Sequence, residues 1–313
     1  MVCVTVLVVL GGVAACTEHT TPKESVESLR QKSSTLRRTV DRHSHLRIAV
    51  WEDVPYMFFR DPVTNVRSGF EIEIAKAIAD GLGFDEDRID WVTIRNLPDR
   101  QSILGEDRAD MVVAAFSITD ERKKYVEFAG PYMLVPQAVL VRRDRKKPLE
   151  TITDLRAPDV HVCTTTGSTS EGALKGKGIT PDPVDTNADC MAGMKSGKYD
   201  AFSTDLPILA GMQRKAKEDA KGQDAFEILD LTIADANERI GIAVPHGDTA
   251  MSGLVAYFLN LWQTGPPGAS PWLRAYDSTV GPMLDARRYR FQPRVEDPTP
   301  PDLADYDSKA PHA

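Results

Sequence analysis

The run Ala109-Asp110-Met111-Val112-Val113-Ala114-Ala115 is almost continuously apolar, as a strand buried on both faces of a parallel sheet is. Upstream, Leu46 to Trp51 and Ile89 to Ile94 read as two more strands, and Pro98 to Leu104 as a short helix. Glu71 to Leu82 carries Ile72, Ile74, Ala75, Ile78, Ala79 and Leu82 on one helical stripe and stops at Gly83. Downstream, Ala138 to Arg142 is a strand, and after Arg145-Lys146-Lys147-Pro148 the pattern restarts. Strand Val160 to Thr164, a helix from Ser168, a short strand near Val184, helix Ala188 to Met194, strand Asp200 to Thr204 and helix Pro207 to Lys217 follow in turn. Ile240 to Val244 is a last strand, and Ser252 to Gln263 a helix with Leu254, Val255, Phe258, Leu259 and Trp262 on its apolar face. Strands alternating with helices imply an α/β fold with a mainly parallel sheet in each half.

The 313 residues suit two domains of ordinary size. With 42% hydrophobic and 27% charged residues, collagenous and wholly disordered classes are excluded. A net charge of -8 argues against nucleic acid as the principal partner. Val2 to Ala15 is uncharged, shorter than the ~20 apolar residues of a membrane-crossing helix, and closed by small residues, so residues 1–15 read as a signal peptide. Val13-Ala14-Ala15-Cys16 resembles the lipobox of bacterial lipoproteins, in which the Cys takes the lipid, although no Lys or Arg precedes the apolar run. Residues 16–45 are polar and read as a tether, helical from Lys23 to Arg42. Residues 291–313, rich in Pro and Asp, read as a disordered tail that packs only in part. The six His show no metal spacing, and no nucleophile motif or phosphate loop emerges. Neither a metal, a cofactor nor a catalytic residue is assigned.

In open α/β sheets ligands sit beyond the carboxyl ends of strands, which directs attention to Trp51–Pro55, Ala115–Ser117, Thr164–Ser170 and Thr204–Asp205. The run Ser117-Ile118-Thr119-Asp120-Glu121-Arg122-Lys123-Lys124, then Val126-Glu127-Phe128 and Gly130-Pro131-Tyr132, resembles the signature of family 3 extracellular solute-binding proteins, the polar amino-acid receptors of bacterial ABC importers. Gly69-Phe70-Glu71-Ile72-Glu73-Ile74-Ala75, Gly167-Ser168-Thr169 and Tyr199-Asp200-Ala201-Phe202-Ser203-Thr204-Asp205 agree with it in order and spacing over roughly Leu46 to Arg290. Cys163, Cys190 and the Thr204-Asp205 context look most like glutamate-binding lipoproteins of actinobacteria. The resemblance implies a two-lobed periplasmic-binding-protein-like fold of type II joined by two crossover strands. Residues 46–142 and 235–290 would form lobe 1 and residues 143–234 lobe 2.

A free amino acid presents a carboxylate and an ammonium on one carbon, and its receptor must satisfy both while excluding water. Arg122 can take both carboxylate oxygens in its planar fork. Ser117 lies beside it, and Ser168 and Thr169 open a helix whose free N–H groups favour an anion. Asp205, the Ala115 carbonyl and Ser117 would accept from the ammonium, and each role matches the family position. For the ligand side chain, Arg100 is spaced from Arg122 as in acidic amino-acid receptors, with Trp51 and Thr164 beside it, so glutamate or aspartate is the first expectation. Trp51 stands where some glutamate receptors have Lys, and it cannot neutralise a carboxylate. Glutamine or asparagine therefore stays open.

Cys3 leaves with the signal and Cys16 is the lipidation site. In an oxidising exported compartment Cys163 and Cys190 are expected to form a disulfide. The protein is thus expected to be a monomeric receptor, not an enzyme, lipid-anchored on the outer face of the membrane and delivering its ligand to an ABC permease. Two alternatives remain: a signalling lipoprotein that reports to a membrane partner, and a dehydratase on prephenate-like acids using Glu52 or Asp53.

Overall fold

The computed structural model describes residues 24–42, 44–229, 231–264, 270–285 and 292–303. The chain enters a first sheet with β1 (Leu46–Val50) and then forms a small antiparallel sheet of β2 (Asp53–Val54), β3 (Phe58–Arg60) and β4 (Arg67–Ser68). It returns to the first sheet with β5 (Ile89–Thr93), β6 (Met111–Ser117) and β7 (Val126–Val135). β8 (Gln137–Arg142), β9 (Val162–Thr165), β10 (Pro181–Val184), β11 (Ala201–Asp205) and β12 (Phe226–Leu229) build the second sheet, and β13 (Glu238–Pro245) goes back to the first.

The strand orders are β5-β1-β6-β13-β7 and β10-β9-β11-β8-β12. Each sheet begins with three parallel strands and then takes one antiparallel strand, β13 between β6 and β7, or β8 between β11 and β12. In both cases the antiparallel strand is the one that has just crossed from the other sheet. Lobe 1 therefore ends near Pro136. The expected boundary at 142 is corrected, because β8 hydrogen-bonds to β11 and β12 of the second lobe along its whole length.

The helices, in chain order, are α1 (Val26–Lys32), α2 (Ser34–Arg42), α3 (Phe70–Gly81), α4 (Asp99–Gly105), α5 (Ile152–Leu155) and α6 (Thr169–Gly176). They continue with α7 (Asn187–Ser196), α8 (Leu206–Asp219), α9 (Thr249–Gln263), α10 (Pro271–Ser278) and α11 (Gly281–Leu284). All seven residues of β6 are buried between α3 and α4, as its composition dictates. Along β8 the side chains alternate: Ala138 and Leu140 join the large core, whereas Val139 and Val141 face a separate cluster with Leu155, Val162 and Leu174.

At the ends, the helical reading of residues 24–42 holds but their role as a loose tether is corrected, and the tail packs in part as expected. Residues 24–42, expected as tether, form α1 and α2 and pack on lobe 1, with Val26, Leu29 and Leu36 buried. Asp248 holds them there: its Oδ2 accepts from the Thr35 N–H at 2.8 Å and the Ser33 hydroxyl at 2.9 Å, while its Oδ1 caps α9 through Met251. In the expected tail, residues 292–303 run along lobe 1, where Asp297 bridges to Gly130, Glu296 pairs with Arg239, and Val295 and Leu303 are buried. The signal segment 1–15, Cys3 and the lipidation site Cys16 lie outside the described residues. Among those described, no helix is long and apolar enough to cross a membrane.

Candidate ligand-binding site

A small cleft lies between the lobes at the carboxyl ends of β1, β6, β9 and β11, where ligands of open α/β sheets sit. Lobe 1 contributes Trp51, Leu97, Arg100, Ala115, Ser117 and Arg122; lobe 2 contributes Thr165, Ser168, Thr169, Ser170, Asn187, Thr204, Asp205 and Ile208. The strand-end rule thus brings Trp51, Ala115, Ser117, Ser168, Thr169 and Asp205 to one place, and Arg100 and Arg122, singled out through the family resemblance, join them. Thr164 is the exception. It is fully buried, and its hydroxyl donates to the Ser203 carbonyl at 2.9 Å. Its neighbour Thr165 lines the cavity instead, because successive strand residues face opposite sides.

Arg122 opens a 3-10 turn that follows β6 after four intervening residues and donates from Nη1 to the Ser117 carbonyl at 2.9 Å. Arg100, on α4, is only 3% exposed. Its Nη1 donates to the carbonyls of Ala115 (2.8 Å) and Ala114 (3.2 Å), and its Nε to that of Leu97. Both guanidinium groups lie over the ring of Phe116, at 4.3 Å for Arg100 and 5.1 Å for Arg122. Burial lowers the pKa of each Arg, and in Arg100 repulsion from Arg122 adds to the effect. An anion between them would relieve that strain.

Asp205 ends β11 at the N-cap of α8, yet its carboxylate caps no backbone N–H. It is a buried acceptor facing the cavity from lobe 2. Burial, with Glu238 adding repulsion, pushes its carboxyl up to about 8 against the opposing pull of Arg100 and Arg122. Ser168 caps α6, accepting from the Glu171 N–H at 3.0 Å, and Thr169 is the first residue of that helix. Asn187 is the first residue of α7; its Oδ1 is buried on the cavity wall and has no hydrogen-bond partner. The disulfide Cys163–Cys190, with its Cα atoms 5.7 Å apart, pins α7 to β9.

Beneath the cavity wall, Ala115 has a φ of +45°. Its N–H donates to both carboxylate oxygens of Glu71, at 3.0 and 3.1 Å, and the Tyr132 hydroxyl donates to Glu71 Oε1 at 2.5 Å.

The lobes also touch outside the cavity. Gln137 Nε2, at the start of β8, donates to Thr169 at 3.2 Å and to Glu238 at 2.9 Å, tying both crossover strands to the start of α6. Asp53 accepts from the Ala188 N–H of α7 at 3.1 Å, and the Tyr56 hydroxyl donates to Glu218 of α8 at 2.8 Å. Gly211 of α8 lies so close to Pro55 that a Cβ there would be 2.3 Å from the Pro55 carbonyl oxygen. Glu52 pairs with Arg67 and Arg60. Neither Glu52 nor Asp53 lines the cavity.

Thr165, Ser170 and Thr204 fall within the strand ends singled out in the sequence, without an assigned role there. Leu97 and Asn187 had no strand-end signal: the first precedes α4, and the second reaches the cavity only because α7 packs beside β9 and β11.

The sequence matches the family model for bacterial extracellular solute-binding proteins, family 3, over residues 46–263. It is 30% identical over 208 residues to the glutamate-binding protein GluB of Corynebacterium efficiens, covering 63% of this chain and 67% of that protein. The glutamine-binding protein of Geobacillus stearothermophilus is 27% identical over 239 residues, 75% of this chain and 86% of that one. Among solved structures, the ancestral amino acid-binding protein AncCDT-1, a precursor of cyclohexadienyl dehydratase, matches with a TM-score of 0.66 at 28% identity, covering 79% of this chain and 100% of that one.

Proposed function

This chain belongs to the bacterial extracellular solute-binding proteins of family 3, and we propose that it is an exported, lipid-anchored receptor for a free acidic amino acid. The observation that carries the reading is the meeting of buried Arg122 from lobe 1 with buried Asp205 from lobe 2 in one cleft. The α-carboxylate takes the Arg122 fork, Ser117 and the N-terminus of α6 at Ser168 and Thr169. The ammonium takes Asp205, with Ser117 and the Ala115 carbonyl as neutral acceptors.

Closure follows from electrostatics. In the empty closed cleft Asp205 is desolvated and its carboxyl is pushed up to about 8, so its charge opposes closure at neutral pH. A ligand ammonium reverses that opposition, and a ligand carboxylate does the same for the paired Arg groups. Ligand contacts both lobes only when they meet, so it shifts the population toward the closed form by its differential affinity. The closed form is then read by an ABC permease, the partner proposed here, or by a membrane sensor in the alternative reading.

Arg100 supports an acidic side chain, since it adds a second buried cation to the cavity, and GluB is named as a glutamate-binding protein. A second reading, glutamine or asparagine, is favoured by Asn187, whose unpartnered Oδ1 seeks an N–H donor such as an amide. A relative named glutamine-binding agrees with it. The dehydratase reading loses support because Glu52 and Asp53, the carboxylates it would use, are engaged elsewhere. Export rests on the apolar segment before Cys16, and anchoring on Cys16 itself.

Calorimetry of the full chain against all twenty amino acids tests the proposal. Tight binding of glutamate or aspartate, with a thermal shift that grows with ligand concentration, is the expected result. Binding of glutamine and not glutamate would establish the second reading, and silence across the panel would overturn both.

A further inference from the structure

We infer that Glu71 is a positioning residue for ligand binding: it holds the Ala115 peptide, and with it the carbonyl wall of the cleft, in a left-handed conformation that an alanine does not adopt unaided. The inference rests on the amino-acid receptor reading and adds a residue that lies behind the cavity.

Three observations converge. First, the register between β6 and β13 shifts at this point: Gly241 pairs with Phe116 but Ala243 with Val112, so four residues of β6 span what two span on β13. β6 is bulged there, and bulges re-aim strand residues. Second, Ala115 has a φ of +45°, where an L side chain crowds its own backbone. Third, the N–H turned inward by this conformation is met by both oxygens of Glu71, 3.0 and 3.1 Å away, and the Ala115 carbonyl by Arg100 at 2.8 Å. The backbone on both sides of the Ala115 Cα is therefore gripped.

Glu71 itself is 0% exposed, and a buried carboxylate persists only where donors surround it. Tyr132, also fully buried, orients it from β7 through the 2.5 Å hydroxyl contact. A carboxylate kept in the core at this cost, and spent on one backbone N–H of a strained wall residue, is placed to shape that wall. Since the Ala115 carbonyl has a second lone pair free of Arg100, its direction sets how well a ligand ammonium is met.

The test is a set of full-chain variants, Glu71→Gln, Ala115→Gly, Tyr132→Phe and the doubles with Ala115→Gly, titrated calorimetrically with L-glutamate and L-glutamine alongside thermal unfolding. Glu71→Gln keeps one oxygen acceptor but loses the two-oxygen grip on the Ala115 N–H and should weaken whichever amino acid the parent binds by about tenfold or more, on the scale of one hydrogen bond. Glycine takes positive φ freely, so adding Ala115→Gly should restore affinity to near the parent's while the lowered melting temperature of Glu71→Gln persists. A merely structural role would move both readouts together and give no rescue. Parent affinity in Glu71→Gln, or a folded Glu71→Gln that Ala115→Gly does not rescue, overturns the inference. If Glu71→Gln does not fold, Tyr132→Phe with and without Ala115→Gly decides by the same criterion. A parent that binds no amino acid overturns the receptor reading itself, and with it this inference.

Discussion

Replacing Gly211 with alanine inserts a methyl group where α8 of lobe 2 meets the Pro55 backbone of lobe 1. The new Cβ would sit 2.3 Å from the Pro55 carbonyl oxygen, about 1 Å inside the 3.4 Å at which ordinary contact begins. Both sides of that contact are backbone, so no side chain can swing away, and the relief must come from parting the lobes. A gap of about 1 Å at α8 stretches the contacts that lobe 2 makes to ligand through Asp205. Weakening one or two charge-assisted hydrogen bonds costs about 1.5–3 kcal/mol, so affinity should fall roughly 10- to 100-fold. The same change acts in the opposite sense on the ligand-free protein, because alanine exceeds glycine in helix propensity by ~1 kcal/mol. Calorimetry and thermal unfolding, each with and without ligand, should show weaker binding in a protein whose ligand-free melting temperature is unchanged or raised. Undiminished affinity in Gly211→Ala would refute the argument that this contact forms on closure.

Arg122→Ala should weaken every amino acid by at least ~100-fold, the scale of a lost buried charge-assisted pair, whereas Arg100→Ala should weaken glutamate more than glutamine; equal losses from both would defeat the assignment of Arg100 to the distal group. The pH dependence of closure has a definite sign. With a carboxyl near 3.8 in an open, solvated cleft and about 8 in the empty closed one, Asp205 takes up a proton on closing between those values, so the empty closed form gains about 1.4 kcal/mol per unit as pH falls. Small-angle scattering of the ligand-free protein should show more compaction at pH 5 than at pH 8, and Asp205→Asn should remove the difference. Removing the disulfide by Cys163→Ala with Cys190→Ala should cost roughly 3.5 kcal/mol for a sequence separation of 27; unchanged denaturant midpoints would contradict this.

Much of the architecture was legible because burial writes it directly. β6 is apolar up to its closing Ser117 because both of its faces are covered, and β9 and β11 each lead into a helix. β7 was not legible: Gly130-Pro131 interrupts Val126–Val135, and Pro in a strand signals an edge or a break. β7 is an edge strand of the first sheet, where that interruption is tolerated. α1 and α2 read as tether because they are polar on average; what docks them is Asp248, more than two hundred residues away in sequence. In the cleft, Asp205 and Ser117 were legible because they end strands, whereas Arg122 lies beyond the end of β6 and was reached through the family signature and its planar fork. Thr164 was misread by one position, since a one-residue shift in a strand reverses which side chain faces the cleft. Glu71 stood in a quoted segment without a role, because nothing local to it foretells the bulge at Ala115.

The docking of residues 24–42 and 292–303 on the same lobe makes that lobe the frame of reference for any motion. Lobe 2, entered at β8 and left after β12, is an insert held by two strands, and under the proposed function it is the part that would move. A fluorophore attached near residue 24 or 303 would travel with lobe 1 and see little of the ligand cycle. One placed at the exposed turn around Lys221-Gly222 on lobe 2, paired with another on lobe 1, would register each closure as a change in distance, so the order in which the chain is threaded also dictates how the protein can be made into a sensor.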